Sequence, residues 1–309
     1  MDATSLKKLN LKNKRVAIID LGTNTFNLLV AIKSDSGIQR LLSTKEGVGL
    51  GLGGINENKL SADAIERAMQ TLTKFCEMSC KLNVEIIVAF GTSAVRNAVN
   101  SNQLLELAEK NLALKIQVIS GKREAELIYK GVCSGYVFSE QGLIMDIGGG
   151  STEFILAGPN GVEKAESFEI GVSRIYQLFK FSDPMTTKDC QTVIEYLEKA
   201  TGDFFEGIKC AKLIGSSGSF ETFYKLSHDI DLPDDQYVTM NSAFLLKGLD
   251  RIIASTQKER DENPYIIPIR KKMAPLAAIK TKWIIDKLKI KELVISPYAL
   301  KEGVMSEIN

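Results

Sequence analysis

The sequence is poor in several residues that chemistry often relies on. Of 309 residues, one is histidine, His228, and one is tryptophan. A single histidine excludes Ser-His-Asp triads and multi-histidine metal sites; His228 itself is expected on a helix surface. The five cysteines (Cys76, Cys80, Cys133, Cys190, Cys210) are an odd set without paired or metal-ligand spacing. That argues for reduced thiols and a cytoplasmic protein. Cys76 and Cys80, four apart on one face of an expected helix, should pack in the core. No apolar run approaches a membrane span. Met1 to Arg15 is polar and lysine-rich with no apolar segment, so it is not expected to be a signal peptide. Excess charge is missing too: 39 Lys and Arg face 38 Asp and Glu, for a net +1. No global field recruits DNA or another polyanion, so anion binding must come from local geometry. With 44% hydrophobic and 25% charged residues, the chain is ordinary for a globular protein, and its length fits two domains.

What the sequence does have is glycine in telling places. Leu143-Ile-Met-Asp-Ile-Gly-Gly-Gly-Ser-Thr-Glu-Phe-Ile-Leu156 reads as two short strands joined by a tight turn. Gly148, Gly149 and Gly150 can adopt positive φ and lack a Cβ, so backbone N–H groups can close around an anion. Asp146 at the end of the first strand suits a hard cation such as Mg²⁺, held through oxygen. Val16-Ala-Ile-Ile-Asp-Leu-Gly-Thr-Asn-Thr-Phe-Asn-Leu-Leu-Val30 repeats that order, with Asp20 lying 126 positions before Asp146. That interval suits a duplicated domain rather than a solenoid. Two such hairpins facing each other would clamp a phosphate chain from both sides.

The remaining landmarks follow in order. Gly47 to Gly54 holds five glycines in eight residues; a flexible hairpin tip and a flap over the site fit it equally well. Ser61 is a good N-cap for a long helix. Val84 to Phe90 is a buried strand ending in Gly91-Thr-Ser-Ala-Val-Arg-Asn-Ala98, where Thr92 and Ser93 either cap a helix or touch phosphate. Arg96, one turn in, is either a surface residue or a bidentate phosphate contact. Ile116 to Ile119 leads into a helix starting at Ser120, and Glu124 is either a helix-start carboxylate or a general base. A strand over Gly161 to Ile170 precedes a helix opened by Gly171. Thr186 to Glu206 is a helix with Asp189 near its start. Strand, loop and helix at Lys212-Leu-Ile-Gly-Ser-Ser-Gly-Ser219 give a third amide-lined cradle in Gly215, Ser216, Ser217 and Gly218. Asn241 starts a helix, Met273 to Leu288 is helical, Glu292 to Ile295 is the last strand, and Ala299 to Met305 ends the chain as a helix.

Six ordered motifs now have a family shape: Asp20-Leu-Gly-Thr-Asn-Thr-Phe-Asn-Leu-Leu, Gly91-Thr-Ser-Ala-Val-Arg, Ser120-Gly-Lys-Arg-Glu-Ala-Glu-Leu-Ile-Tyr, Asp146-Ile-Gly-Gly-Gly-Ser-Thr-Glu, Gly215-Ser-Ser-Gly-Ser and Ala299-Leu-Lys-Glu-Gly-Val. Over about residues 14 to 305 the chain resembles the exopolyphosphatase / guanosine pentaphosphate phosphohydrolase family of the actin–sugar kinase–Hsp70 superfamily. The resemblance implies an α/β fold of two actin-like (ribonuclease H-like) domains with an interdomain cleft. The domains would cover 1–125 and 126–296, with a helix at about 297–309 packing back on the first. It implies Mg²⁺-dependent hydrolysis of a terminal phosphoanhydride, with polyphosphate or guanosine pentaphosphate as substrate, and analogy suggests a homodimer. The catalytic base falls on Glu124, with Arg96 as its phosphate-binding companion. Metal ligands would be Asp20, Asp146 and Glu153. Phosphate would be held by Gly22, Thr23, Asn24 and Thr25, by Gly148, Gly149, Gly150, Ser151 and Thr152, by Thr92 and Ser93, and by the cradle at Gly215 to Gly218.

Three departures from the family pattern stand out. Thr23 and Thr25 replace the usual serines but keep the hydroxyl. Lys122-Arg123 precede the base where neutral or acidic residues are common, which would favour a more anionic substrate. The chain stops near residue 309, without the extra C-terminal helical domain of longer members, which argues against processive action on long polyphosphate. A sugar or acetate kinase, and a non-catalytic polyphosphate or alarmone sensor, are the competing functions.

Overall fold

The computed structural model describes residues 13–34, 37–233 and 235–308. The polar segment Met1 to Lys12, which carries most of the stretch argued not to be a signal peptide, lies outside them. The strands are β1 (Arg15–Leu21), β2 (Thr25–Ser34), β3 (Gly37–Gly47), β4 (Ile86–Gly91), β5 (Ile116–Val118), β6 (Gly142–Ile147), β7 (Thr152–Gly158), β8 (Gly161–Phe168), β9 (Lys212–Ser216), β10 (Val238–Asn241) and β11 (Glu292–Ile295). They form two sheets, in the orders β3-β2-β1-β4-β5 and β10-β11-β9-β6-β7-β8.

Apart from the added edge strand β10, the sheets share one plan. A three-stranded antiparallel meander leads, and two parallel strands follow on its other side. This is the doubled ribonuclease H-like, actin-like arrangement expected from the resemblance. The register repeats as well: Asp20 faces Asn27 and Leu21 faces Phe26, just as Asp146 faces Glu153 and Ile147 faces Thr152. Strands β1 and β6 are central, and their apolar residues are buried as a continuous run rather than alternately, as expected for a strand covered on both faces.

The helices are α1 (Ala62–Lys81), α2 (Ser93–Asn97), α3 (Ser101–Leu112), α4 (Gly121–Val132), α5 (Val172–Leu178), α6 (Thr187–Thr201), α7 (Gly218–His228), α8 (Ser242–Ala254), α9 (Gln257–Glu262), α10 (Ala274–Leu288) and α11 (Leu300–Glu307). Among the described residues none is long and apolar enough to cross a membrane. Ser61 caps α1 by accepting from the Ala64 N–H, and the Ala64, Ile65, Ala68, Leu72, Phe75 face joins the core of the first sheet. In the second unit Phe154 is packed by Phe205 and Trp283.

The compact units are residues 1–134 with 300–309, and residues 135–299. The first therefore runs past the expected limit at residue 125, because α4 continues through that point to Val132. Helix α11 lies so close on α4 that a Cβ at Gly303 would sit 1.8 Å from the Leu127 carbonyl oxygen. The motif glycine near the C-terminus is thus a packing requirement. Cys80 is exposed and Cys76 only half-buried, contrary to the core position expected for both; all five thiols are free.

Candidate active site

The first turn, Gly22 to Thr25, is braced from behind. The Val48 and Gly49 N–H groups both donate to the Asn24 carbonyl at 2.9 Å, and the Gly51 N–H donates to the Thr23 carbonyl at 3.0 Å. Val48 and Leu50 are buried in the core. Arg67 fixes the brace through the Val48 and Gly49 carbonyls, at 2.7 and 3.1 Å. The glycine-rich stretch 47–54 is therefore neither a hairpin tip nor a flap; it is the wall on which the turn rests. Carbonyl and N–H point oppositely across a trans peptide, so occupied carbonyls turn the partner amides of Asn24 and Thr25 the other way. Asn27 Nδ2 donates to Asp20 Oδ2 at 3.0 Å, fixing the first motif carboxylate.

The second turn is braced in the same sense by different means. Gly171 N–H donates to the Gly150 carbonyl at 2.9 Å, Val172 N–H to Gly148 at 3.1 Å and Ser173 N–H to Gly149 at 2.8 Å. The free amides at the start of α5 are thus spent on the three glycine carbonyls, and the amides of Gly149, Gly150 and Ser151 face the opposite way. None of Gly148, Gly149 and Gly150 has positive φ, contrary to the expectation. Closeness instead excludes a side chain at the facing glycine: a Cβ at Gly171 would lie 2.2 Å from the Gly149 carbonyl oxygen.

Asp146 and Glu153 face each other across β6 and β7, but their surroundings differ. Glu153 is 1% exposed, accepts a hydrogen bond from Ser167 Oγ at 2.7 Å and feels the charge of buried Lys280. That carboxylate is occupied inside the protein. Among the described residues no three acidic, histidine or cysteine side chains are gathered to hold a metal. Mg²⁺ needs less: one or two carboxylates, with water and substrate oxygens completing its shell. Asp146, a hard oxygen donor beside an amide-lined turn, fits that demand.

At the third cradle, Ser217 has φ 76° and ψ 174°, a region that side chains rarely adopt. Its Oγ donates to the Ile147 carbonyl at 3.3 Å, tying this loop to the end of β6. Ser216 Oγ bonds the Tyr298 carbonyl. Sequence reasoning missed Arg270, whose Nη1 donates to the Gly218 carbonyl at 2.7 Å. Burial pulls its pKa below the ordinary guanidinium value, while Glu221 and Asp146 act against that pull. The Arg270-Lys-Lys272 run was the available signal, and only the fold shows that its first member meets the cradle.

In the first unit Arg96 and Glu124 come together. Arg96 Nη1 donates to Glu124 Oε2 at 2.7 Å and to the Ile119 carbonyl at 3.2 Å. Ser120 Oγ caps α4 by accepting from the Arg123 N–H, which puts Glu124 in the first turn, with 8% of its surface exposed. Thr92 Oγ1 donates to the Leu21 carbonyl at 3.3 Å, and Ser93 Oγ accepts from Asn97. Both residues are buried, and five-residue α2 is too short to offer an anion site of its own. Arg123 pairs with Glu126 and Glu307, so it is not the spare positive charge that the sequence suggested; exposed Lys122 remains.

The model of the Ppx/GppA phosphatase family matches residues 29–309. The crystal structure of an exopolyphosphatase from Cytophaga hutchinsonii superposes with a TM-score of 0.91 at 32% identity, over 95% of this chain and 97% of that one. A Ppx/GppA family member from Aquifex aeolicus shares the fold, with a TM-score of 0.78 at 24% identity over 94% and 96% of the two chains. The family match runs from within β2 through the terminal helix, and the chain belongs to the Ppx/GppA phosphatase family.

Proposed function

We propose that this phosphoanhydride hydrolase is a Mg²⁺-dependent exopolyphosphatase that removes the terminal phosphate from short inorganic polyphosphate. The observation that carries this is the largely buried Arg96–Glu124 pair, a carboxylate aimed by a guanidinium at the start of a helix. The name of the Cytophaga hutchinsonii relative supports polyphosphate as the substrate class.

Water attacks the terminal phosphorus, and Glu124 accepts its proton. The bond from that phosphorus to the bridging oxygen breaks, leaving orthophosphate and a chain shortened by one unit. Phosphoryl transfer asks for positioning and charge neutralisation more than covalent work. Each unit, taken by itself, offers the outward amides of its own turn as fixed donors to phosphate oxygens. Asp146 would hold Mg²⁺, which when bound neutralises charge on those oxygens. Arg96 keeps the Glu124 carboxylate in one orientation; its role is positioning rather than independent capture of phosphate.

The test is phosphate release from tripolyphosphate, long polyphosphate and guanosine pentaphosphate, with Mg²⁺ and with EDTA. Mg²⁺-dependent release, fastest from tripolyphosphate, is expected. Release from the nucleotide alone would make the protein a guanosine pentaphosphate phosphohydrolase, and tight binding without any release would make it a sensor.

A further inference from the structure

Helix α10 carries a lysine where its neighbours are core. Ala277, Ala278, Ile279 and Thr281 are buried, and Lys280 is 0% exposed. A buried ammonium is costly unless its N–H groups are accepted. A methionine of similar volume would avoid that cost, so packing alone gives no reason for lysine at this position.

The partners of Lys280 give one. Its Nζ donates to Thr152 Oγ1 and, at 2.5 Å, to the Ile170 carbonyl. The Thr152 hydroxyl in turn donates to the Ser151 carbonyl at 3.0 Å, which also accepts the Gly148 N–H that closes the second turn at 3.1 Å. Ile170 directly precedes Gly171, whose N–H holds the Gly150 carbonyl. One ammonium therefore fixes both sides of the contact between the turn and α5. Hydrogen bonds in such a chain polarise one another.

We propose that Lys280 is the positioning residue of the second phosphate turn, orienting through Thr152 and Ile170 the amides that receive a substrate phosphate. This rests on the reading of that turn as a phosphate site. Because Lys280 does not touch substrate, its loss weakens binding of the ground state and the transition state together, which raises KM and spares kcat.

The experiment compares wild type, Lys280→Met, Thr152→Val and the double variant, using tripolyphosphate both as calorimetric ligand and as substrate. Expected is a rise of roughly tenfold in Kd and KM for Lys280→Met, with kcat within about threefold of wild type. The double variant should bind no more weakly than the weaker single variant, since both act through one chain. A melting transition well above the assay temperature separates these effects from simple unfolding. Unchanged Kd in Lys280→Met, or full multiplication of the two single effects, would overturn the inference even if turnover is normal. A tenfold change in Kd without phosphate release from any protein would support the inference and defeat the proposed activity instead.

Discussion

Arg96 Nη1 lies 2.7 Å from Glu124 Oε2, and this ion pair joins the corner after β4 to the first turn of α4. Both side chains are largely buried, with 16% and 10% of their surfaces exposed. Removing the guanidinium strands a carboxylate that the protein has desolvated. Arg96→Ala should cost up to about 3 kcal/mol of stability and lower kcat by roughly 10²-fold. Urea unfolding beside steady-state kinetics checks both, and an unchanged kcat would remove Arg96 from the catalytic arrangement.

Glu307 holds α11 onto α4. Burial acts to raise its pKa, but hydrogen bonds from Arg123 and Lys130 outweigh this and keep it below the ordinary carboxylate range. A depressed folded pKa means the pair stabilises fully above the unfolded value and is lost as pH falls through the folded one. Glu307→Gln should cost about 3 kcal/mol at neutral pH and flatten the acid limb of the stability profile. Equal stability of the two proteins at pH 7 would contradict this role.

How far the fold was legible depended on where the information lay. The repeated Asp20 and Asp146 hairpins could be read because strand, glycine turn and strand are local. The residues that brace those turns come from elsewhere in the chain: Val48 to Gly51 behind one, Gly171 to Ser173 behind the other. Nothing local marks them, and the 47–54 glycines looked like a flexible tip because their partners, Thr23 and Asn24, lie more than twenty residues away. Glu124 and Arg96 were each singled out, yet their pairing follows only from the parallel placement of β4 and β5. Arg123 was misjudged for the same reason, since its partner Glu307 is 184 positions distant. Lys280 carries no mark of a site residue in the sequence, and the basic run that holds Arg270 does not say which partner its first member meets.

Lys280 also gives a pH signature. Burial draws its pKa down from 10.5 to about 7, with Glu153 acting in the opposite direction. Between those two values the unfolded chain binds more protons than the folded one, so this group makes stability rise with pH across that window. Below pH 7 both states are protonated and the slope from this group vanishes. The stability of wild type relative to Lys280→Met should therefore increase from pH 7 to pH 9 in urea titrations. Parallel profiles would show that the ammonium is not buried as described.

Ser217 pays for its place in the third cradle with a backbone conformation worth about 1–3 kcal/mol of strain. Ser217→Gly should relieve it and raise the melting temperature, while losing the hydroxyl bond to Ile147 and some turnover. A lower melting temperature would show that the hydroxyl bond outweighs the strain.

The role of Glu124 as the base is tested most directly by Glu124→Gln, which preserves shape while removing the proton acceptor. Tripolyphosphate binding by calorimetry and phosphate release under single-turnover conditions should be measured on the same preparations. We expect binding within about threefold of wild type and release slowed by roughly 10²–10⁴-fold, the range of general-base catalysis. Wild-type release by the glutamine variant would contradict the assignment.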